Sequence, residues 1–259
     1  MCSDFFLNDK TSKWLDKKIQ NITNRIGLDR KTLDEVFDIS TLHSIEKLIS
    51  NRILDIIDFP ISTGKEGNVF RGITPDKKNV AIKIYRTSNL TFKHISKYIV
   101  GDPRFKDLHK NRRDLIYEWT KKEYKNLQRA YKAGVDVPKP IVYINNVLVM
   151  EYIGVSDVPA PLMKDIKLKN PRKIFDTLIG FISKMYQKAE IVHGDISAFN
   201  VLIFKNKPYL IDFGQGVLIE HPNALEFLKR DIHNIVSYFK KFNILADENE
   251  ILESITKKS

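Results

Sequence analysis

Apolar residues recur at Leu15, Ile19, Ile22 and Ile26, spaced by four, three and four, which predicts one face of a helix over residues 11–29. Leu42, Ile45, Leu48, Ile49 and Ile53 repeat the stripe, so about the first 55 residues read as helical. The period then shortens. Residues 56–62, 69–73 and 79–85 are β-branched-rich runs parted by turn chemistry, Pro75-Asp76 in the second gap, and predict an antiparallel meander. From 86 to 113 the apolar rhythm lapses; the segment is long for a connection and is expected to be mobile or functional. Helical spacing resumes over 114–133, with Gly134 as a stop. Two prolines kink 135–140, and 141–144 with 147–152 read as a hairpin about Asn145-Asn146, a pair that tolerates positive φ. A helix over 171–188 carries Pro171 near its start and Ile174, Leu178, Ile182 and Met185 on one face. Strands at 201–204 and 209–211 flank a turn, and the remainder is mostly helical. This order of helices, strands, helix, strands and helices predicts an α+β chain of two lobes with a hinge near 150–154. The expected division is 1–55 for the N-terminal helices, 56–150 for the first lobe with an insertion at about 86–113, and 151–259 for the second lobe.

Composition narrows the setting. Hydrophobic residues form 42% of the 259, enough for a sizeable core. No run of eighteen apolar residues predicts a membrane span, and the first residues lack the apolar stretch of a secretory signal. Cys2 is the sole cysteine, which excludes an intramolecular disulfide framework and a cysteine-rich zinc site. A cytoplasmic protein without membrane association is expected, and the Lys/Ile richness suggests an archaeal source. The formal charge of +11 raises the local concentration of polyanions such as nucleic acid. Within 86–113, Lys and Arg occupy positions 86, 93, 97, 104, 106, 110, 112 and 113, against acids at 102 and 107.

Four groups of residues carry chemistry. In STGKEGNVFRG, Gly64 and Gly67 remove side chains where a backbone must approach something closely, and no Gly-Lys-Ser/Thr is present to make a Walker motif. Lys83 follows in a strand, on the face opposite Ile82 and Ile84. A lysine drawn into a cleft needs a counter-ion. Glu123, on an inward stripe with Leu127 and Ala130, is the candidate; Glu118 is the alternative, although a surface pair with Lys122 suits it better. Finally His193, Gly194, Asp195, Asn200 and the run Asp212-Phe213-Gly214 lie in strict order. Asn200 and Asp212 offer oxygens suited to a hard cation such as Mg²⁺, leaving Asp195 to accept or orient the proton of an attacking hydroxyl.

The set V-A-I-K, H-G-D-x-x-x-x-N and D-F-G resembles the protein kinases. Gly194 stands where their H-R-D arginine would be, no A-P-E appears, and 45 residues follow Gly214. The activation segment and the usual peptide-docking helices are therefore expected to be missing from the second lobe. The segments STGKEGNVF, GDPRF, AGVDVPKPI, VLVMEYIG, HGDISAFNVLI and LIDFGQ are together similar to the RIO family of atypical serine kinases, of the Rio-one type, over about residues 50–240. The resemblance implies a bilobal kinase-like fold with extra N-terminal helices. It implies a phosphate loop of Ser62, Thr63, Gly64, Lys65, Glu66, Gly67, Asn68 and Val69, with Lys83 holding phosphates and pairing with Glu123. Glu151 and Ile153 would meet adenine through backbone groups, with Met150 behind the ring. Asp195 would be the catalytic base, Asn200 and Asp212 the ligands of Mg²⁺ or Mn²⁺, and His193 a brace of the loop rather than a reactant. It further implies ATP-dependent autophosphorylation, possible ATP hydrolysis, and a role in maturation of the small ribosomal subunit with pre-ribosomal RNA as partner. Two other readings remain open at this point. One is a nucleotide-sensing RNA- or pre-ribosome-binding module, and the other is a small-molecule phosphotransferase of the aminoglycoside-kinase kind.

Overall fold

In the computed structural model of the protein, which describes residues 37–64, 66–87, 97–102, 104 and 111–257, Asp38 caps the first helix, its carboxylate accepting the Thr41 amide at 2.8 Å. The helix expected over 11–29 lies outside the described residues. The capped helix, α1 (Ile39–Ser50), lays Ile45 and Leu48 on the outer face of the first lobe's sheet. Ile53, expected on the same stripe, lies beyond its end: Arg52 takes φ 54°, and the Ile53 amide turns back to the Leu48 carbonyl at 3.0 Å. Ile53 still packs against that cluster.

The sheet is antiparallel, in the order β1-β2-β3-β5-β4. Its strands are β1 (Ile56–Thr63), β2 (Gly67–Ile73), β3 (Asn79–Tyr85), β4 (Pro140–Ile144) and β5 (Val147–Glu151). Alternation along β3 sends Ile82 and Ile84 into the cluster under α1, and Ala81 and Tyr85 into a larger cluster shared with the second lobe. Lys83 shares the inner face. Gly67 is needed by this sheet, since a Cβ there would stand 2.4 Å from the Ile84 carbonyl oxygen. The close approach anticipated from the glycine is therefore to β3.

Between β3 and β4 runs α2 (Arg112–Lys132), capped by the Asn111 side chain on the Asp114 amide and ended by Gly134 at φ 74°. It crosses the inner face of the sheet and buries Ile116, Trp119, Glu123 and Ala130. The expected surface pair of Glu118 with Lys122 does not form. Glu118 holds Lys121, while Lys122 points inward, 1% exposed. The helix phase decides this, because Lys122 falls on the buried side with Trp119 and Asn126.

After β5 the chain turns through a small hairpin, β6 (Gly154–Val155) with β7 (Val158–Pro159), fixed by an Ala160 amide bond to the Ile153 carbonyl. The second lobe is built on α3 (Pro171–Gln187) and two short ladders. β8 (Ile191–Val192) pairs with β11 (Val217–Leu218), and β9 (Val201–Phe204) with β10 (Lys207–Leu210). Helices α4 (Ala224–Phe239) and α5 (Glu248–Thr256) close the lobe. Ile211, expected in a strand, lies just past β10, and its amide bonds the Asn200 carbonyl. Both ladders place their connecting loops, 193–200 and 211–216, side by side at the lobe boundary.

Candidate active site

Lys83 Nζ lies 2.8 Å from Glu123 Oε1 and 2.9 Å from Asp212 Oδ1, so one ammonium joins β3, α2 and the loop after β10. Burial alone would lower the Lys83 pKa, but the Asp212 and Glu123 carboxylates hold it well above the ordinary lysine range. Asp212 keeps 44% of its side chain open to the cleft. Enclosure raises its pKa, yet Lys83 wins and leaves it below the usual carboxylate range. Burial pushes Glu123 up; Lys83 opposes this, and the Tyr85 hydroxyl donates to its other oxygen. Asp212 itself takes φ 66°, a left-handed backbone that turns its carboxylate toward the lysine.

A cleft of about 560 Å³ opens between the lobes, within the range of small-ligand pockets. Ser62, Gly64, Glu66, Gly67, Val69, Lys83, Glu123, Met150, Glu151, Ile153, Asn200 and Asp212 all line it. Ile61, Ala81, Leu202 and Ile211 add apolar walls at the hinge end. Three of the expected residues do not face it: Thr63, Asn68 and Asp195. Thr63 ends β1 at the surface, and Asn68 is buried with its Oδ1 accepting the Gly64 amide at 3.3 Å, so it braces the loop from behind. Lys65 lies outside the described residues.

Asp195 faces a second, smaller space of about 260 Å³, divided from the cleft by Glu66 and Gln215, which line both. Burial, reinforced by the nearby Asp212 charge, raises the Asp195 pKa; a hydrogen bond from Asn200 and the charges of Arg230 and Lys97 oppose it. Asn200 Nδ2 donates to the Asp195 carbonyl at 2.8 Å and carboxylate at 3.0 Å. That commits the amide N–H to Asp195 and leaves Oδ1 as the acceptor atom of a residue that lines the cleft. Among the described residues no group of three His, Cys, Asp or Glu side chains forms a metal cage. Mg²⁺ suits such a place, because it takes one or two protein oxygens and fills its shell with water and phosphate. The Asn200 and Asp212 oxygens fit that requirement.

Several supporting residues were not anticipated. Asp231 on α4 is fully buried and accepts the Gly194 and Ile196 amides at 2.7 and 2.8 Å. Asn234, three positions on, donates to the Ile196 carbonyl at 3.0 Å, and Arg230 donates to the Gly194 carbonyl. Burial pushes Asp231 up to about 7, against the two amide bonds that favour its charge. On α2, Lys122 Nζ donates to the Gly214 carbonyl at 2.9 Å and lies 4.3 Å from the Trp119 ring. Asn126 donates to the Phe213 and Gly216 carbonyls at 3.0 and 2.8 Å. The only sequence signal for this scaffold is helical spacing of polar groups inside apolar stripes, at 122 and 126 and at 230, 231 and 234. Asn at 231 offers a single acceptor oxygen for two amides. We expect Asp231→Asn to lower unfolding free energy by about 1–3 kcal/mol in urea titration; an unchanged midpoint contradicts the brace.

His193 is buried, its Nε2 3.1 Å from the Ile211 carbonyl, and Nδ1 has no partner. Nε2 is therefore the donor of a neutral ring. Burial pulls its pKa down from 6.5 to about 4. The unfolded chain binds the extra proton first, so stability falls as pH drops from about 6.5 toward 4. At pH 5 the loss amounts to roughly 2 kcal/mol. His193→Gln should remove that part of the acid sensitivity; equal slopes of stability between pH 7 and 5 in both proteins would contradict the assignment.

A cleft between a five-stranded lobe and a helical lobe, with a strand lysine tied to a helix glutamate, defines a protein-kinase-like class. A family model described as the RIO domain matches residues 68–251. A RIO-type serine/threonine-protein kinase Rio1 of Haloferax volcanii is 39% identical over 226 residues, covering 87% of this chain and 78% of that protein. The Thermoplasma acidophilum Rio1 kinase is 44% identical over 190 residues, covering 73% of this chain and all of that one. The human serine/threonine-protein kinase RIO1 is 36% identical over 259 residues, 98% of this chain but 46% of its own length. A solved Rio2 kinase from Chaetomium thermophilum shares the fold, with a TM-score of 0.68 at 18% identity, covering 98% of this chain and 88% of that one. The chain belongs to the RIO family of atypical serine/threonine protein kinases and is of the Rio1 type.

Proposed function

We propose that this kinase uses ATP with Mg²⁺ or Mn²⁺ in the cleft, and that Lys83, Asp195, Asn200 and Asp212 are its working residues. The observation that carries the reading is the Lys83 ammonium held at once by Glu123 and by Asp212, 129 positions later in the chain. A lysine so placed is fully charged and pre-aimed, ready to hold phosphate oxygens without reorganisation. The apolar walls near Met150 suit adenine, with hinge backbone at Glu151 and Ile153 for its edge. The glycine-poor strand turn from Ser62 to Val69, braced by Asn68, covers the phosphates. Asn200 and Asp212 would hold the metal, which neutralises charge on the phosphates when bound. Asp195, with its raised pKa, takes the proton of the attacking hydroxyl. Oxygen then bonds to the γ-phosphorus, the bond to the β-phosphate oxygen breaks, and ADP leaves.

The test is incubation with γ-labelled ATP and Mg²⁺. Label on Ser or Thr of this chain, with ADP released, supports kinase action by autophosphorylation. The solved Rio2 relative is described as an ADP/Mg²⁺ phosphoaspartate complex, which favours a second route, ATP hydrolysis through an acyl phosphate. Hydroxylamine-labile label identifies that route. Neither label nor ADP would defeat the reading.

The +11 charge and the cationic insertion support a place in small-subunit maturation, against pre-ribosomal RNA. Affinity for such RNA should fall with salt by a log–log slope near −0.7 per phosphate contact. A flat response between 50 and 200 mM salt contradicts direct contact. Among the described residues no helix is long and apolar enough to cross a membrane.

A further inference from the structure

Asp102 and Arg104 of the insertion clasp each other beside α2. Asp102 is buried, and Arg104 Nε lies 2.9 and 3.1 Å from its two carboxylate oxygens, with Nη2 2.6 Å from Oδ2. Burial raises the Asp102 pKa, but the hydrogen bonds and charge of Arg104 outweigh it and hold the carboxylate below its usual range, so the pair is ionised. The clasp fixes the plane of the guanidinium and aims Nη1 at Asn126 Oδ1, 2.8 Å away. Asn126 is fully buried, and its Nδ2 donates to the Phe213 carbonyl at 3.0 Å and to the Gly216 carbonyl at 2.8 Å. A reversed amide would turn Oδ1 against those two carbonyls and its NH₂ group against Arg104. The guanidinium therefore decides which way the amide points. Gly216 is required for this approach, since a Cβ there would stand 2.8 Å from Asn126 Nδ2. The two carbonyls mark the ends of the turn that directly follows Asp212, closed by the Gly216 amide on the Phe213 carbonyl at 3.1 Å.

We propose that Arg104 is a positioning residue for Asp212, acting through Asn126 on the turn at 213–216. The inference rests on the reading of Asp212 as a ligand of Mg²⁺ or Mn²⁺ given above and adds what sets that ligand's place. Asp212 holds φ 66°, with its carboxylate 2.9 Å from Lys83. A left-handed backbone at a residue other than glycine persists only where its surroundings hold it. Here the next carbonyl, that of Phe213, is held by Asn126, and Lys122 Nζ holds the Gly214 carbonyl at 2.9 Å. Without Arg104, Asn126 Oδ1 is a buried acceptor that has lost its donor, which weakens the amide's hold on the turn. Asp212 is then freer to leave the geometry that a small cation with a strict coordination shell demands. Seating of Arg104 and affinity for the metal are thus coupled, and the coupling is reciprocal.

The experiment uses the full chain and reads the affinity for a non-hydrolysable ATP analogue with Mn²⁺ and again with EDTA. The ratio of the two affinities isolates what the metal adds, and a urea midpoint is taken for each variant. Asp102 and Arg104 are replaced together by Ala, so that no carboxylate is left buried and unpaired. This variant should lower the ratio by about tenfold, through a loss confined to the Mn²⁺ arm. Arg104→Lys keeps a cation for Asp102 without the planar fork that reaches two partners, and should lower the ratio in a chain with the wild-type midpoint. Asn126→Asp can accept from Arg104 but cannot donate to the two carbonyls, and should lose at least as much. Adding the Asp102/Arg104 change to Asn126→Asp should then bring no further loss, because both act by one route. A ratio untouched by both Arg104 variants, equal losses in the Mn²⁺ and EDTA arms, or losses that multiply in the combined variant would overturn the proposal. If any of these occurs while Mn²⁺ strengthens binding to the wild type, the reading of the metal site stands alone. If Mn²⁺ adds nothing to the wild-type affinity, both fall.

Discussion

Asp212→Ala should lower γ-phosphoryl transfer by roughly a thousandfold or more, with the chain still folded. Two losses combine. On the proposed reading the metal would lose a carboxylate ligand, worth several kcal/mol of charge stabilisation at the transferring phosphate. Lys83 also loses the partner 2.9 Å away that aims it across the cleft, and keeps Glu123 alone. Because 44% of the Asp212 side chain is already open, its removal leaves no deep void. Label transfer under saturating ATP, beside circular dichroism of the variant, checks both halves. Transfer within tenfold of wild type would remove Asp212 from the chemistry.

Asp195→Asn should cost about 10²–10⁴ in transfer to a hydroxyl acceptor while leaving nucleotide affinity little changed. The asparagine is close in size, keeps the Asn200 contact and cannot take a proton. Asp195 lines the smaller pocket and not the large cleft, so a nucleotide bound in the cleft is expected not to depend on it. Equilibrium binding of a labelled nucleotide, set against single-turnover transfer, separates the two effects. A parallel loss of binding and transfer would mean that Asp195 serves the nucleotide and not the acceptor.

Much of this was legible before any coordinates, and the reason differs by element. β3 could be read because Lys83 interrupts a run whose neighbours alternate between two buried clusters. The loops at 193–200 and 211–216 could be read because their polar residues stand between short apolar runs that must pair. Glu123 was favoured over Glu118 by its inward stripe with Leu127 and Ala130, but helical spacing alone does not assign the partner. The distance of 2.8 Å from Lys83 to Glu123 decides it. Lys122 was misread for a physical reason. A lysine beside a glutamate at helical spacing usually forms a surface pair, whereas here Trp119, Tyr98 and the Gly214 carbonyl receive it inside. The braces from α4 show in the sequence only as polar groups inside an apolar stripe, because Asp231 serves two backbone amides 35 and 37 positions away and nothing local names those partners. The insertion looked structureless by periodicity, yet Tyr98 is buried between Trp119 and Phe227 rings. Asp102 is buried under Arg104, which reaches Asn126 at 2.8 Å. One aromatic and one ion pair seat its described residues 97–102 and 104, and neither makes a repeat.

The central claim is that one metal–triphosphate unit sits between Lys83, Asn200 and Asp212. The most direct measurement is a crystal structure with a non-hydrolysable ATP analogue and Mn²⁺, read by anomalous scattering. The account predicts a Mn²⁺ peak at about 2 Å from side-chain oxygens of Asn200 and Asp212, with phosphate oxygens against Lys83 Nζ. A peak held by other residues, or an analogue whose phosphates lie away from Lys83, would contradict it.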